Sequence, residues 1–273
     1  MSNLILHEYQ IHIPGVSRKV IYHFSDVHLC LFDEDSSPEE CAKATEKTQS
    51  WETGRLGFAK HHGEPHDEAH PIAATEYFAQ LLQASAADGD ALLVAGDLFD
   101  YTSGANIRAY DKCFGNLPLP YMMVRGNHES IHAIPDDSRM AEIKRPVQIL
   151  DLGDVILAGF DDAKRVITQE QLDALASLLA QPKPLILAMH IPIQVEGNAA
   201  HQQCDDYFRL NYDGAPVENL AFIELIRQNA GKIAAMLCGH LHFLNTCTLA
   251  PGLTQYVSSQ GLLGNLNRYV IGE

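Results

Sequence analysis

From Ile5 onward the alternate positions Ile5, His7, Tyr9, Ile11 and Ile13 fall on one face of an extended chain, because strand side chains alternate with period two. Pro14-Gly15 supplies a turn, and residues 19–24 read as the return strand of an opening hairpin. Apolar runs of strand length follow at residues 91–95, 121–124, 155–160, 185–189 and 233–238, and residues 254–257 and 268–271 complete the set. Apolar spacings of three and four over residues 72–87, 107–114, 169–179 and 217–228 predict helices. Strands alternating with helices, with hairpins at both ends, argue for an α/β fold of two mixed β-sheets packed face to face with helices outside. No repeat, low-complexity tract or linker interrupts the pattern, so residues 1–273 are expected to form one domain.

Composition narrows the class. An apolar fraction of 46% in 273 residues is enough for a large buried core. No run approaches the ~20 apolar residues that a membrane span needs. The N-terminus has neither a basic segment nor a long apolar run, so a signal peptide is not expected and the cytoplasm is the expected location. Lys and Arg number 19 against 35 Asp and Glu, a formal charge of −16. That balance weighs against nucleic acid as a partner, since phosphate backbones are bound through basic grooves. It leaves room for a small phosphorylated substrate where bound cations cancel charge locally. The six cysteines form no Cys-x-x-Cys pair, so free thiols are expected, with Cys30 and Cys238 as core fillers.

Five short motifs end apolar runs in series: Asp26-Val27-His28, Gly96-Asp97, Gly126-Asn127-His128-Glu129, His190 and Gly239-His240-Leu241-His242. Buried strand ends are rigid, and their last side chains can converge with those of neighbouring strands on one point. Glycines at 96, 126 and 239 let the backbone turn sharply and approach closely. Mixed carboxylate, imidazole and amide donors suit divalent Mn, Fe, Zn, Co or Ni. They do not suit a calcium cage, which is built from oxygen.

The order of these motifs resembles that of the calcineurin-like metallophosphoesterase superfamily over residues 20–242, and within it the small bacterial metallophosphoesterases. The resemblance implies a four-layer α/β/β/α sandwich and two divalent metal ions, manganese foremost. By the same resemblance Asp26, His28 and His242 hold one ion, Asn127, His190 and His240 the other, and Asp97 bridges them. The implied reaction is hydrolysis of a small phosphomonoester or phosphodiester by direct attack of metal-bound hydroxide. His128 would face the leaving group as proton donor, with Asp100 orienting it; the plainer role for Asp100 is a helix cap. Arg55, Arg125 and Arg209 are candidates for a phosphate clamp, because a guanidinium fork matches two phosphoryl oxygens.

Departures from the family branches keep the substrate open. Tyr101 stands where the Ser/Thr phosphatases carry Arg, and Leu29-Cys30 where they carry Gly, so a protein phosphatase is not expected. Gly96-Asp97-Leu98-Phe99-Asp100 also resembles the DNA-repair nucleases, and a non-catalytic binding module on the same fold is the third reading. Oligomeric state is left open. Two segments, 31–71 and 193–216, follow ligand motifs and are expected to be insertions over the mouth of the site. The first carries Trp51 and the histidines 61, 62, 66 and 70, read as surface; the second carries His201, Tyr207 and Tyr212. His23, inside a strand, is read as a core residue.

Overall fold

A computed structural model describes residues 3–64, 72–198, 200 and 206–273. Strands β1 (Ile5–Ile11), β2 (Lys19–Phe24), β3 (Ala91–Ala95), β4 (Tyr121–Val124) and β11 (Asn265–Ile271) form one sheet, in the order β1-β11-β2-β3-β4. Strands β5 (Val147–Asp151), β6 (Ile156–Phe160), β7 (Leu185–Ala188), β8 (Ile233–Cys238), β9 (Asn245–Ala250) and β10 (Leu253–Val257) form the other, in the order β5-β6-β7-β8-β10-β9. The principal helices are α1 (Pro38–His62), α2 (Ala74–Asp88), α3 (Gly104–Gly115), α4 (Gln169–Leu179) and α5 (Val217–Gln228).

Period-two alternation within the buried strands sorts the apolar residues into three cores. In the first sheet Val20, Tyr22, Leu92, Val94 and Met123 face Phe78 and Leu81 of α2 and Tyr110 and Phe114 of α3. Their neighbours Ile21, Leu93, Met122 and Val124 point the other way, onto Leu157, Ile186, Ala235 and Leu237 of the second sheet. That sheet's opposite face, with Ala158, Leu187 and Met236, is covered by Leu175 of α4 and Phe222 and Ile226 of α5. The layers run helix, sheet, sheet, helix. Strands buried on both faces read as unbroken apolar runs, which is why β3, β4 and β8 lie where the sequence puts them.

One expectation fails. The opening segments do not form a hairpin: β11 inserts between them, parallel to β1 and antiparallel to β2. Alternation in residues 5–13 reports which face is buried, and it does so correctly, but it carries no information about the partner strand. Segment 31–71, expected as an insertion over the site, contains α1, which takes up 25 of its residues. The helix starts with a capping box, in which Glu40 N–H donates to the Ser37 hydroxyl at 3.2 Å and Ser37 N–H to Glu40 Oε2 at 2.7 Å. Pro38 follows the cap, and Gly63 ends the helix in the left-handed region at φ 67°. Only Ala44, Arg55 and Ala59 of α1 are buried, so the helix has no apolar stripe to reveal it. The capping signature Ser37-Pro38-Glu39-Glu40 is the signal the sequence offers.

Candidate metal centre and active site

β2, β3 and β4 run parallel, as do β7 and β8, so each group delivers its motif at one edge of its sheet. Asp26, Asp97, Asn127, His190 and His240 all lie two or three residues past their strands. The turns that follow are strained. Six non-glycine residues among those described have positive φ, and five are Asp26 (55°), His28 (49°), Asp97 (50°), His240 (72°) and His242 (60°). Such conformations cost about 1–3 kcal/mol each and persist only where the surroundings over-determine them. Close approach also requires glycine at 96, where an added Cβ would lie 2.5 Å from His190 Nδ1.

Buried carboxylates fix these turns. Glu129 accepts the N–H groups of Asp97 (3.1 Å), Phe99 (3.1 Å) and Gly126 (2.8 Å), tying the second motif to the third. Asp162 accepts those of His190 (3.0 Å) and Ile191 (2.9 Å). Burial pushes both carboxyls up to about 7, helped at Glu129 by the neighbouring charge of Asp97. Asp162 escapes a reading of the sequence because a lone Asp after a strand carries no motif.

The donor atoms of Asp26, His28 and His242 all lie within 4.8 Å of one another, as do those of Asp97, His190 and His240. His28 Nε2 and His242 Nε2 stand 3.0 Å apart, and Asp26 Oδ1 is 3.2 Å from the latter. That carboxylate oxygen is buried and makes no hydrogen bond among the described residues. In the second group, His190 Nδ1 lies 2.7 Å from the Ala95 carbonyl and so carries the hydrogen. His190 Nε2 is left facing Asn127 Oδ1 at 3.0 Å and Asp97 Oδ2 at 3.2 Å. Asn127 is oriented by its Nδ2, which donates to the Tyr207 hydroxyl at 3.1 Å. Asp97 Oδ2 is also 4.0 Å from His28 Nε2, between the two groups.

Electron-rich atoms packed this closely need positive charge among them. A proton supplies part of it: burial opposes the imidazolium of His190, but Asp97 holds it up to about 10. Divalent cations supply it better, since ligands at ~2.1 Å from one ion stand about 3.0–3.4 Å apart. Orphaned Asp26 Oδ1, the facing imidazoles and the mixed donor set all fit two such ions.

Beside this centre Asp100, 6% exposed, gathers several contacts. Its Oδ1 is 3.0 Å from His128 Nδ1, accepts the Trp51 indole N–H at 3.0 Å and lies 3.7 Å from His28 Nδ1. Lys47 Nζ is 3.3 Å from Oδ2. Burial works against the Asp100 carboxylate, yet these partners hold it well below the usual range. For His128 burial again opposes charge, and the Asp100 hydrogen bond and Asp97 outweigh it, raising the imidazole to about 9. Trp51 stacks on His28 with ring centroids 3.9 Å apart.

A cavity of about 300 Å³ opens over the centre, lined by Asp97, Asn127, His128, His240 and His242 and by Trp51, Phe58, Tyr207, Phe208 and Leu241. The described parts of both inserted segments therefore do reach the site. None of the three clamp arginines lines it. Arg55 is buried and donates to the Leu262 and Ile72 carbonyls at 3.2 and 3.1 Å. Arg125 forks onto Asp161 at 3.0 and 2.6 Å. Arg209 donates to Gln194. A guanidinium within a fold is claimed by whichever acceptors surround it, and sequence spacing does not reveal them. His62 stacks on Phe243, whereas His66, His70 and His201 lie outside the described residues. His23 is fully buried, and Cys30 and Cys238 are buried thiols that burial pushes up, Cys30 to about 12.

The profile of the calcineurin-like phosphoesterases matches residues 19–244. No curated protein matches the chain. Among solved structures it is similar to a dimetal phosphatase from Danio rerio, at 11% identity over 90% of this chain and 88% of that one, TM-score 0.49. TT1561 of Thermus thermophilus is similar at 13% identity over 90% and 91%, TM-score 0.49. A putative 5'-nucleotidase from Staphylococcus aureus is similar at 12% over 90% and 49%, TM-score 0.46. The profile spans every motif that assembles the two donor groups and each strand that delivers one, so the chain belongs to the calcineurin-like phosphoesterase family and is a metal-dependent phosphoesterase.

Proposed function

We propose that the protein hydrolyses a small phosphate ester, using Asp26, His28 and His242 for one divalent ion, Asn127, His190 and His240 for a second, and Asp97 for both. The observation that carries this reading is the place of Asp97: its Oδ2 lies 3.2 Å from His190 of one group and 4.0 Å from His28 of the other. Manganese is the ion we favour for the first test, and the mixed imidazole, carboxylate and amide set also suits Fe, Zn, Co or Ni. When bound, such a pair supplies Lewis acidity toward phosphoryl oxygens and a water acidic enough to attack near neutral pH.

The chain's own residues do the rest. In this reading water is the nucleophile and attacks without a covalent intermediate; no Ser or Cys is among the described residues lining the cavity. His128 borders the cavity beside Asp97, with its Nδ1 occupied by Asp100. Its remaining ring nitrogen is the proton donor to the departing ester oxygen, a role worth roughly 10²–10⁴-fold in rate. Trp51, stacked on His28 and bonded to Asp100, keeps these two groups in register.

The test is turnover of 4-nitrophenyl phosphate and bis(4-nitrophenyl) phosphate by metal-stripped protein reloaded with Mn²⁺, beside Asp97→Asn. Turnover by the wild type that the variant loses is the expected result. Two bound ions with no turnover of either ester would overturn the reading.

A further inference from the structure

The cavity wall has an unusual balance. Trp51, Phe58, Tyr207, Phe208 and Leu241 make up half of its described lining, and no Lys or Arg belongs to that lining. Segments 65–71, 199 and 201–205 contain no Lys or Arg either. The rings at the mouth are open to solvent: Phe58 and Phe208 are each 37% exposed and Tyr207 is 50% exposed. They come from two separate segments. Trp51 and Phe58 are seven residues apart on one face of α1, and Tyr207 and Phe208 lie in the segment after β7. Exposed aromatic rings gathered around one cavity mark a surface built to be covered.

Charge points the same way. A phosphomonoester dianion brings two negative charges, and its non-bridging oxygens call for cationic donors such as an arginine fork. Here Arg55, Arg125 and Arg209 are held by acceptors elsewhere, Lys47 is on Asp100, and Arg165, outside the lining, lies over the rings of Tyr207 and Tyr212. Asp26 and Asp97 would offset half of the charge that two divalent ions bring to the centre, and the chain carries −16 overall. Esterifying one more phosphoryl oxygen removes a charge that, among the described lining side chains, only His128 could answer. It also adds a group that can lie on the rings.

We propose that the substrate is a phosphodiester bearing a planar aromatic group on the ester that is not cleaved, and that Phe58 and Phe208 select it. This rests on the phosphohydrolase reading above. Each cleavage consumes one water, breaks one P–O bond and yields an alcohol and a phosphomonoester.

Three esters that all release 4-nitrophenolate test the idea on the Mn²⁺-loaded protein: 4-nitrophenyl phosphate, methyl 4-nitrophenyl phosphate and phenyl 4-nitrophenyl phosphate. The expected order of kcat/KM is phenyl diester, then methyl diester, then monoester. A stacked ring is worth on the order of 10-fold, so the phenyl-to-methyl ratio should be about that in the wild type. Phe58→Ala and Phe208→Ala should each bring the ratio toward one. Both rings are partly exposed and on different segments, so failure of one variant to fold leaves the other. Phe32→Ala, an exposed ring outside the cavity lining, should leave the ratio unchanged. Monoester turnover equal to that of the phenyl diester, or a ratio unmoved in both cavity variants, would overturn the inference while leaving the phosphohydrolase intact. Hydrolysis of none of the three by protein with two ions bound would overturn both.

Discussion

Asp100→Asn separates a charge from a shape. The carboxylate touches His128, Trp51 and Lys47 at 3.0, 3.0 and 3.3 Å, and the amide is nearly isosteric, so packing survives while the negative charge is lost. In the metal-free protein His128 titrates near 9, because its bond to Asp100 and the charge of Asp97 outweigh burial. Removing the Asp100 charge returns it toward the ordinary value near 6.5. At pH 7.5 a group titrating near 9 is about 97% protonated, and one near 6.5 about 10%. With His128 as the acid, loss of its proton and of its orientation lowers kcat, toward the ~10² of a missing acid. The sign is definite. A general acid works below its pKa, so activity falls as pH rises through it, and the variant's alkaline limb must move to lower pH. NMR titration of the His128 ring in metal-free protein reads the first effect, and the pH profile of kcat/KM on a nitrophenyl ester reads the second. His128→Ala should lose the limb altogether while retaining two ions. An unmoved ring titration together with an unmoved alkaline limb would refute the coupling.

Stripping the divalent ions should lower Tm by at least about 5 °C relative to protein at 100 times Kd, since that saturation is worth about 2.7 kcal/mol. Calorimetry with and without chelator checks it, and an unchanged Tm would count against a metal-organised site. Arg125→Ala breaks a fork with Asp161 in which the side chains are 8% and 14% exposed. The variant should lose about 2–4 kcal/mol in urea unfolding with KM unchanged; a raised KM at full stability would restore Arg125 to the substrate. Asp162→Ala leaves the buried N–H groups of His190 and Ile191 without acceptors. It should cost about 2–5 kcal/mol, and a urea midpoint equal to the wild type would show that other groups hold this turn.

Much of this arrangement is local, and local features are legible. β3, β4 and β8 announce themselves as apolar runs, and α4 and α5 as amphipathic ones, because burial on two faces or on one stripe leaves its period in the chain. The motifs are legible for the same reason: each is a few residues at the end of one strand. Helix α1 is hidden because its burial is confined to Ala44, Arg55 and Ala59, leaving only its capping box as a mark. β5 and β9 escape notice as half-exposed edges of their sheet.

Pairing and partnership are another matter. Whether β1 lies beside β2 or beside β11 depends on a strand more than 250 residues away, whose buried residues draw it to the inner position. Arg55 and Arg125 are engaged by Leu262, Ile72 and Asp161, none of which any spacing rule links to them. Read alone, the chain specifies which donors it carries, in what order, and that each sits at a rigid strand end. Only the packing of two sheets brings His28 within 3.0 Å of His242, 214 residues away, and forces the backbone of Asp26, Asp97 and His240 into strained turns. Local propensity follows from neighbours along the chain, whereas convergence on one point is a property of contacts between distant segments, which no local pattern encodes.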